Sequence, residues 1–351
     1  MTKFITGIQQ AGIGVHDAEE AKHLYKNLFG MNVLVFDSKA EASLMKQYTG
    51  ANVHSRRAIL SLNMNGGGGF EIWQFTSRTP CTAATTPLLG DLGIYAIKIK
   101  SRNIRASHQL FLKMTEVTVS PLYNTPDNRL HFWLTDTYGH CFDMVEGDEW
   151  FKTGTDLCGG VVGAVIGVSD MQKAIGFYKE VLGIDEVIYS GTASLSDVPP
   201  GHMEGEVYER VLLKKGLGKN GAFSQLLGSV QIELVCAKQR TPQKIYAERY
   251  WGDCGFIHLC FDVLNMDGLK EHSGKAGFPF TVDSAHSFAM DDTAGRFCYV
   301  EDPDGTLIEL VETHRVPILK KLGLYLNLQK RKHQKPLPEW MIGLMSLNKI
   351  R

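Results

Sequence analysis

The segment from Ile13 to Met31 lies without a gap on the segment from Ile166 to Ile184. Identities fall in a single register: Ile13/Ile166, Gly14/Gly167, Val15/Val168, Asp17/Asp170, Ala21/Ala174, Tyr25/Tyr178, Lys26/Lys179 and Gly30/Gly183. An internal repeat constrains a fold strongly, because each copy must form the same unit and bury its open face against another copy. Each copy reads as a strand followed by a helix. Asp17 and Asp170 stand where a helix N-cap belongs, after an alternating strand. Ala21, Leu24, Tyr25 and Leu28 recur at helical spacing and give one apolar face. Gly30 and Gly183 then stop the helices.

Two weaker copies lie between and after these. Ile94–Ile99 reads as a strand with a helix from about Ile104 to Met114. His258–Val263 reads as a strand with a helix from about Met266 to Ala276, ended by Gly277. The ends of the copies also match. Asp136-Thr-Tyr-Gly-His-Cys-Phe-Asp143 and Asp302-Pro-Asp-Gly-Thr-Leu-Ile-Glu309 are each a turn followed by a strand, with an acid seven residues after the first Asp, and Pro303-Asp-Gly is a tight-turn signal. The chain of 351 residues thus divides into modules of about 3–77, 90–149, 158–238 and 252–314. They make two joined halves, 1–150 and 151–315, with a tail over 316–351 expected to be helical.

Several function classes are disfavoured. A formal net charge of -1 provides no global field for nucleic acid or an anionic membrane. No apolar run reaches the length of a membrane span, and the N-terminal residues lack the apolar core of a signal peptide. Seven scattered cysteines without a Cys-x-x-Cys pair point to a reducing cytoplasm rather than a disulfide framework. Gly216-Leu-Gly-Lys-Asn-Gly221 matches a dinucleotide fingerprint letter for letter, but it lies between two strands, which predicts a hairpin connection. Gly66–Gly69 reads as a turn. Ser190–Gly201 reads as a loop that could lie over a barrel mouth or form a plain long hairpin. In the tail, a basic cluster, Lys330–Lys335, precedes an apolar stretch, Trp340–Leu347, expected to pack on the body; a membrane-surface contact is the alternative.

A strand ending Gly-Val-x-Asp, a helix ending Tyr-Lys-x-x-x-Gly and a later Asp-Pro-Asp-Gly-x-x-Ile-Glu-Leu resemble the vicinal oxygen chelate superfamily of glyoxalase I, bleomycin-resistance proteins and extradiol dioxygenases. The resemblance covers most of the chain. It implies an α+β fold of four βαβββ modules, pairing into two open, cupped mixed-sheet barrels with helices outside. It also implies metal ligands on the first and last strands of each module. By position these are Gln10, Ile94, Gly163 and His258 on first strands, and Glu71, Asp143, Glu233 and Glu309 on last strands. The local pattern agrees. Ala11, Ile13 and Val15 form one face of their strand, leaving Gln10, Gly12 and Gly14 on the other. His258 shares a face with Cys260. Glu71, Glu233 and Glu309 each interrupt an apolar strand, where an unpaired carboxylate is costly. The opposing reading places these acids on a solvated sheet face, and Asp143 fits that reading best.

Two pairings remain open. If neighbouring modules pair, one barrel holds Gln10, Glu71, Ile94 and Asp143, and the other Gly163, Glu233, His258 and Glu309. If the first module pairs with the fourth, Gln10, Glu71, His258 and Glu309 form one complete set, the Gln, Glu, His, Glu set of some glyoxalase I enzymes. Ile94, Asp143, Gly163 and Glu233 then form a lost one. Neither pairing supplies the two His and a carboxylate of an iron dioxygenase. Gly14 stands where glyoxalase I has a basic residue for a glutathione carboxylate, which argues against a substrate gripped in that way. The resemblance implies a glyoxalase- or epimerase-like isomerase or lyase, with one divalent ion (Zn, Ni, Mn, Co or Fe) and Glu309 and Glu71 as proton-moving acids. A ring-cleaving dioxygenase and a metal-free small-molecule binding protein are the alternatives. The expected partner is a small molecule, without nucleic acid or a membrane span, for a cytoplasmic monomer or homodimer.

Overall fold

Four times along the chain a long strand leads into a helix and then into an antiparallel run of strands. In this computed structural model the first module comprises β1 (Ile5–Gly14), α1 (Ala18–Phe29), β2 (Val33–Glu41), β3 (Ser55–Leu62) and β4 (Gly69–Phe75). The second comprises β5 (Gly93–Ser101), α2 (Ile104–Phe111), β6 (Val117–Val119), β7 (Tyr123–Asn124), β8 (Leu130–Asp136) and β9 (Cys141–Glu146). The third comprises β10 (Cys158–Gly167), α3 (Met171–Glu180), β11 (Glu186–Ser194), β12 (Val207–Lys215), α4 (Ser224–Leu227) and β13 (Val230–Ala237). The fourth comprises β14 (Gly255–Val263), α5 (Met266–Lys275), β15 (Val282–Asp283), β16 (Phe288–Met290), β17 (Thr293–Glu301) and β18 (Leu307–Leu319). A tail adds β19 (Leu324–Asn327) and α6 (Glu339–Gly343). The structure describes residues 4–199, 201, 205–285, 288–290, 293–319, 323–329 and 335–350, so the basic cluster lies outside the described residues except for Lys335.

Local chemistry sets the repeated unit. The Asp17 carboxylate accepts from the N–H groups of Glu19 and Glu20, and Asp170 accepts from Gln172 and Lys173. Each closes the first turn of its helix. Gly30 ends α1 in the left-handed region, with φ 67°.

The modules form two curled mixed sheets. One runs β15-β17-β18-β14-β1-β4-β3-β2, and the other β11-β12-β13-β10-β5-β9-β8-β6. The first sheet is therefore built from modules one and four, and the second from modules two and three, the crossed arrangement. Its central seam is the antiparallel pair β1–β14, in which Gln10 faces Cys260 and Gly12 faces His258. Both sheets cut across the sequence halves 1–150 and 151–315. Those halves are instead tied through helices. Tyr25 of α1 donates to Asp136 in the second module at 2.9 Å, and Tyr178 of α3 donates to Asp302 in the fourth at 3.1 Å. Both tyrosines belong to the repeat.

The core follows from this layering. The helices and convex sheet faces share one apolar cluster, including Tyr25, Phe29, Phe142, Phe177, Leu259 and Phe261. Separate clusters fill the two concave sides. Two expectations gain detail and one changes. The Gly216–Gly221 segment lies, as expected, in the connection of the antiparallel pair β12–β13, which also carries the single turn α4. Ser190–Ser194 belongs to β11, while Leu195–Val198 covers the second barrel, where Trp133 Nε1 donates to the Asp197 carbonyl at 2.8 Å. The tail begins as a strand, β19 on β18, before its short helix. Ile342 and Met345 of the tail are buried on the first barrel. No helix among the described residues is long and apolar enough to cross a membrane, and all seven cysteines are free.

Candidate metal centre and its counterpart

In the first barrel, parallel register places Glu71 beside Gly12 and Glu309 beside Cys260. Gln10 and His258 each lie two residues before those partners, so all four side chains turn to the same concave face. The structure brings them together. His258 Nε2 is 3.1 Å from Glu309 Oε2 and 3.4 Å from Glu71 Oε2. The Gln10 Nε2 donates to Glu71 Oε2 at 3.2 Å and to Glu309 Oε2 at 3.4 Å. Exposure is 4% for Gln10, 2% for Glu71, 0% for His258 and 7% for Glu309.

Glycine makes this packing possible. A Cβ at Gly12 would lie 2.4 Å from the His258 ring, and one at Gly14 would lie 1.8 Å from the Asp253 carbonyl oxygen. The space above these glycines is thus taken by the imidazole and by backbone. Tyr299 Oη lies 3.2 Å from His258 Nδ1 and fixes the ring. Burial alone would lower the His258 pKa, but Glu309 and Glu71 outweigh it and raise it to about 9. Two buried polar atoms, Gln10 Oε1 and His258 Nε2, have no well-directed hydrogen-bond partner.

Glu71, His258 and Glu309 place one ligand atom each within 4.8 Å of one another, and they are the one such acid or histidine group among the described residues. The Gln10 amide adds an oxygen when its two ends exchange by rotation. One nitrogen, two carboxylates and an amide oxygen fit a borderline divalent cation. The arrangement also leaves adjacent space for a ligand. Above Gln10, Glu71 and Glu309 opens a cavity whose walls are mostly apolar.

The counterpart in the second barrel is different. Glu233 and Asp143 do converge, but around the Lys98 ammonium, which bonds Asp143 and lies 2.7 Å from Glu233 Oε2. Arg210 binds both Glu233 and Asp197. His131 Nδ1 lies 2.9 Å from Asp143, and its Nε2 lies 3.3 Å from Asp197. All six residues are buried. The acids here are therefore paired with cations, and Asp143 is not on a solvated face. Gly163 keeps its position opposite Gln231, its missing Cβ giving room to the Gln231 carbonyl. Ile94 does not face this site. It packs in the core between the sheets, and the β5–β9 register puts Ala96, two residues before Lys98, at the ligand-equivalent place.

Tyr299, Lys98, His131, Asp197 and Arg210 escaped the sequence reading. The alternation Ile97-Lys-Ile-Lys100 does place two lysines on the face opposite the core, which was the available signal for Lys98.

Comparison with known proteins bears on the whole arrangement. A family model for the Glyoxalase/Bleomycin resistance protein/Dioxygenase superfamily matches residues 160–310. Glyoxalase I from Zea mays is similar at 12% identity, with a TM-score of 0.53, covering 87% of this chain and 92% of that one. A presumptive dioxygenase from Bacillus subtilis strain 168 is similar at 13% identity, with a TM-score of 0.55, covering 89% and 86%. No curated protein sequence matches. At these identities the solved structures speak for the fold alone. Residues 160–310 thus match the Glyoxalase/Bleomycin resistance protein/Dioxygenase superfamily, the vicinal oxygen chelate proteins, and the four repeated modules and two curled sheets carry the same fold through the rest of the chain.

Proposed function

We propose that this chain is a metal-dependent enzyme of the isomerase or lyase kind, acting on a small substrate with two adjacent oxygens. The observation that carries this reading is the buried convergence of Gln10, Glu71, His258 and Glu309, with Gln10 Oε1 left without a hydrogen-bond partner and His258 Nε2 without a well-directed one. A buried acid pair beside an unpartnered donor set is costly unless something else occupies their shared focus.

Gln10, Glu71, His258 and Glu309 would hold the ion, and its charge would stabilise negative charge developing on the substrate oxygens. With the proton of His258 on Nδ1, its bond to Tyr299 Oη leaves the Nε2 lone pair facing the two carboxylates. Glu71 and Glu309 line the cavity floor. Either acid can take a proton from the substrate carbon beside the oxygens, and return it, while apolar walls keep water from competing. A ring-cleaving dioxygenase draws less support, since His258 is the single histidine in this cluster among the described residues.

The test is metal content. Protein purified without chelator should carry about one divalent metal ion per chain by elemental analysis. Chains that hold none, and retain none after incubation with Mn, Fe, Co, Ni or Zn, would replace this reading with that of a metal-free binding protein.

A further inference from the structure

We infer that the substrate carries, beside its adjacent oxygens, an apolar body without an anionic group, and that parts of the chain outside the first barrel select it. This rests on the reading that the oxygens bind at the floor formed by Gln10, Glu71 and Glu309.

The walls above that floor come from three sources. Phe36 and Leu60 belong to the barrel itself, Phe223 and Leu227 to the α4 segment of the third module, and Val316 and Met345 to the end of β18 and the tail. The borrowed walls are fixed in place by backbone hydrogen bonds. Gly67 N donates to the Leu226 carbonyl at 2.7 Å, Leu337 N to the Ala222 carbonyl at 2.9 Å, and Leu34 N to the Asn348 carbonyl at 2.8 Å. Gly7 has no Cβ where one would lie 2.6 Å from the Leu227 Cβ, so β1 admits α4 closely.

Charge is missing from these walls. No lysine, arginine or histidine lines the cavity among the described residues. The polar pair beyond the floor, Gln9 and Thr313, is joined at 3.0 Å. Arg56, on the concave side of β3, is no substitute: it is buried, donates to the Ser38 carbonyl and stacks on Trp73 at 4.9 Å, and it does not line the cavity. An anionic substituent would lose its hydration against hydrocarbon with no counter-charge in reach, and it would face Glu71 and Glu309.

The experiment uses the full chain and two fluorescent probes with identical adjacent oxygens, naphthalene-2,3-diol and its 6-sulfonate. Each is titrated against Co(II)-loaded and chelator-stripped protein. The diol should bind at least about tenfold more tightly than the sulfonate in both forms. Leu227→Lys should erase the preference by strengthening sulfonate binding. Met345→Lys should do the same from the other wall, and it stands in if the first variant lacks a cooperative melt. Equal affinities, tighter sulfonate binding or no saturable diol binding would overturn the inference. Diol binding indifferent to Co(II), with the preference intact, would instead count against the metal reading and leave this one standing.

Discussion

Beside Glu71, β1 carries Gly12; beside Asp143, β5 carries Lys98. The two barrels share a sheet order and differ at this position by one side chain and one full charge. In the second barrel three acids, Asp143, Glu233 and Asp197, face three bases, Lys98, Arg210 and His131. Burial lowers the Lys98 and His131 pKa values, but the surrounding acids outweigh it, holding Lys98 above its usual value and raising His131 to about 9. The network is neutral when His131 is protonated. In the first barrel two acids meet one histidine, with the Gln10 oxygen unpartnered. A duplicated cation site can be closed from within by an ammonium on a neighbouring strand, which converts ligands into structural ion pairs.

The largest expected contrast lies in metal binding. Glu71→Ala should remove the metal from the chain, while Glu233→Ala should leave the stoichiometry unchanged, read by elemental analysis after reconstitution. The opposite pattern would mean that the ammonium-filled barrel is the binding site.

Stability should show the reverse sensitivity. Lys98→Met leaves Asp143 and Glu233 buried without their shared cation, and it should cost about 3–5 kcal/mol in denaturant unfolding. An unchanged midpoint would show that the network does not hold the second barrel together.

The pH profile sharpens this. His131 is raised from 6.5 to about 9, so its contribution to stability is fully present below pH 6.5 and lost as pH rises through about 9. The decline over that window should be smaller in His131→Asn by on the order of 3 kcal/mol. Parallel curves for the two proteins would refute the charged network.

The smallest contrast concerns the links between the two barrels within each half. Tyr25→Phe should cost about 1 kcal/mol, because His140 Nδ1 remains 3.4 Å from Asp136. Tyr178→Phe, which removes the side-chain donor to Asp302 Oδ2, should cost more, about 1–3 kcal/mol. Equal losses by thermal melting would argue that the imidazole is irrelevant there.

Local patterns in the sequence carried a good part of this architecture. Helix caps at Asp17 and Asp170, and period-two strands around Glu71, His258 and Glu309, are decided by neighbouring residues. The choice between pairings is not local. It is made where β1 meets β14, by strands far apart in sequence, and linkers of either arrangement are long enough. Ile94 was misplaced because a register slip of two residues leaves no mark in composition. Lys98 reads as a solvated lysine until strands from two modules are brought around it. The cavity walls at Leu227 and Met345 were equally hidden, since a single helical turn and a tail have no period to detect.

The β1–β14 seam has a consequence for biosynthesis. Modules two and three are adjacent in the gene, so the second barrel can close once β13 has emerged from the ribosome. The first barrel must wait for β14 to β18, while β1 keeps an unpaired edge. At roughly 5–20 residues per second the interval lasts on the order of ten seconds or more. Chaperone capture and edge-to-edge aggregation belong to that interval, and a circular permutant that encodes module four directly before module one would shorten it.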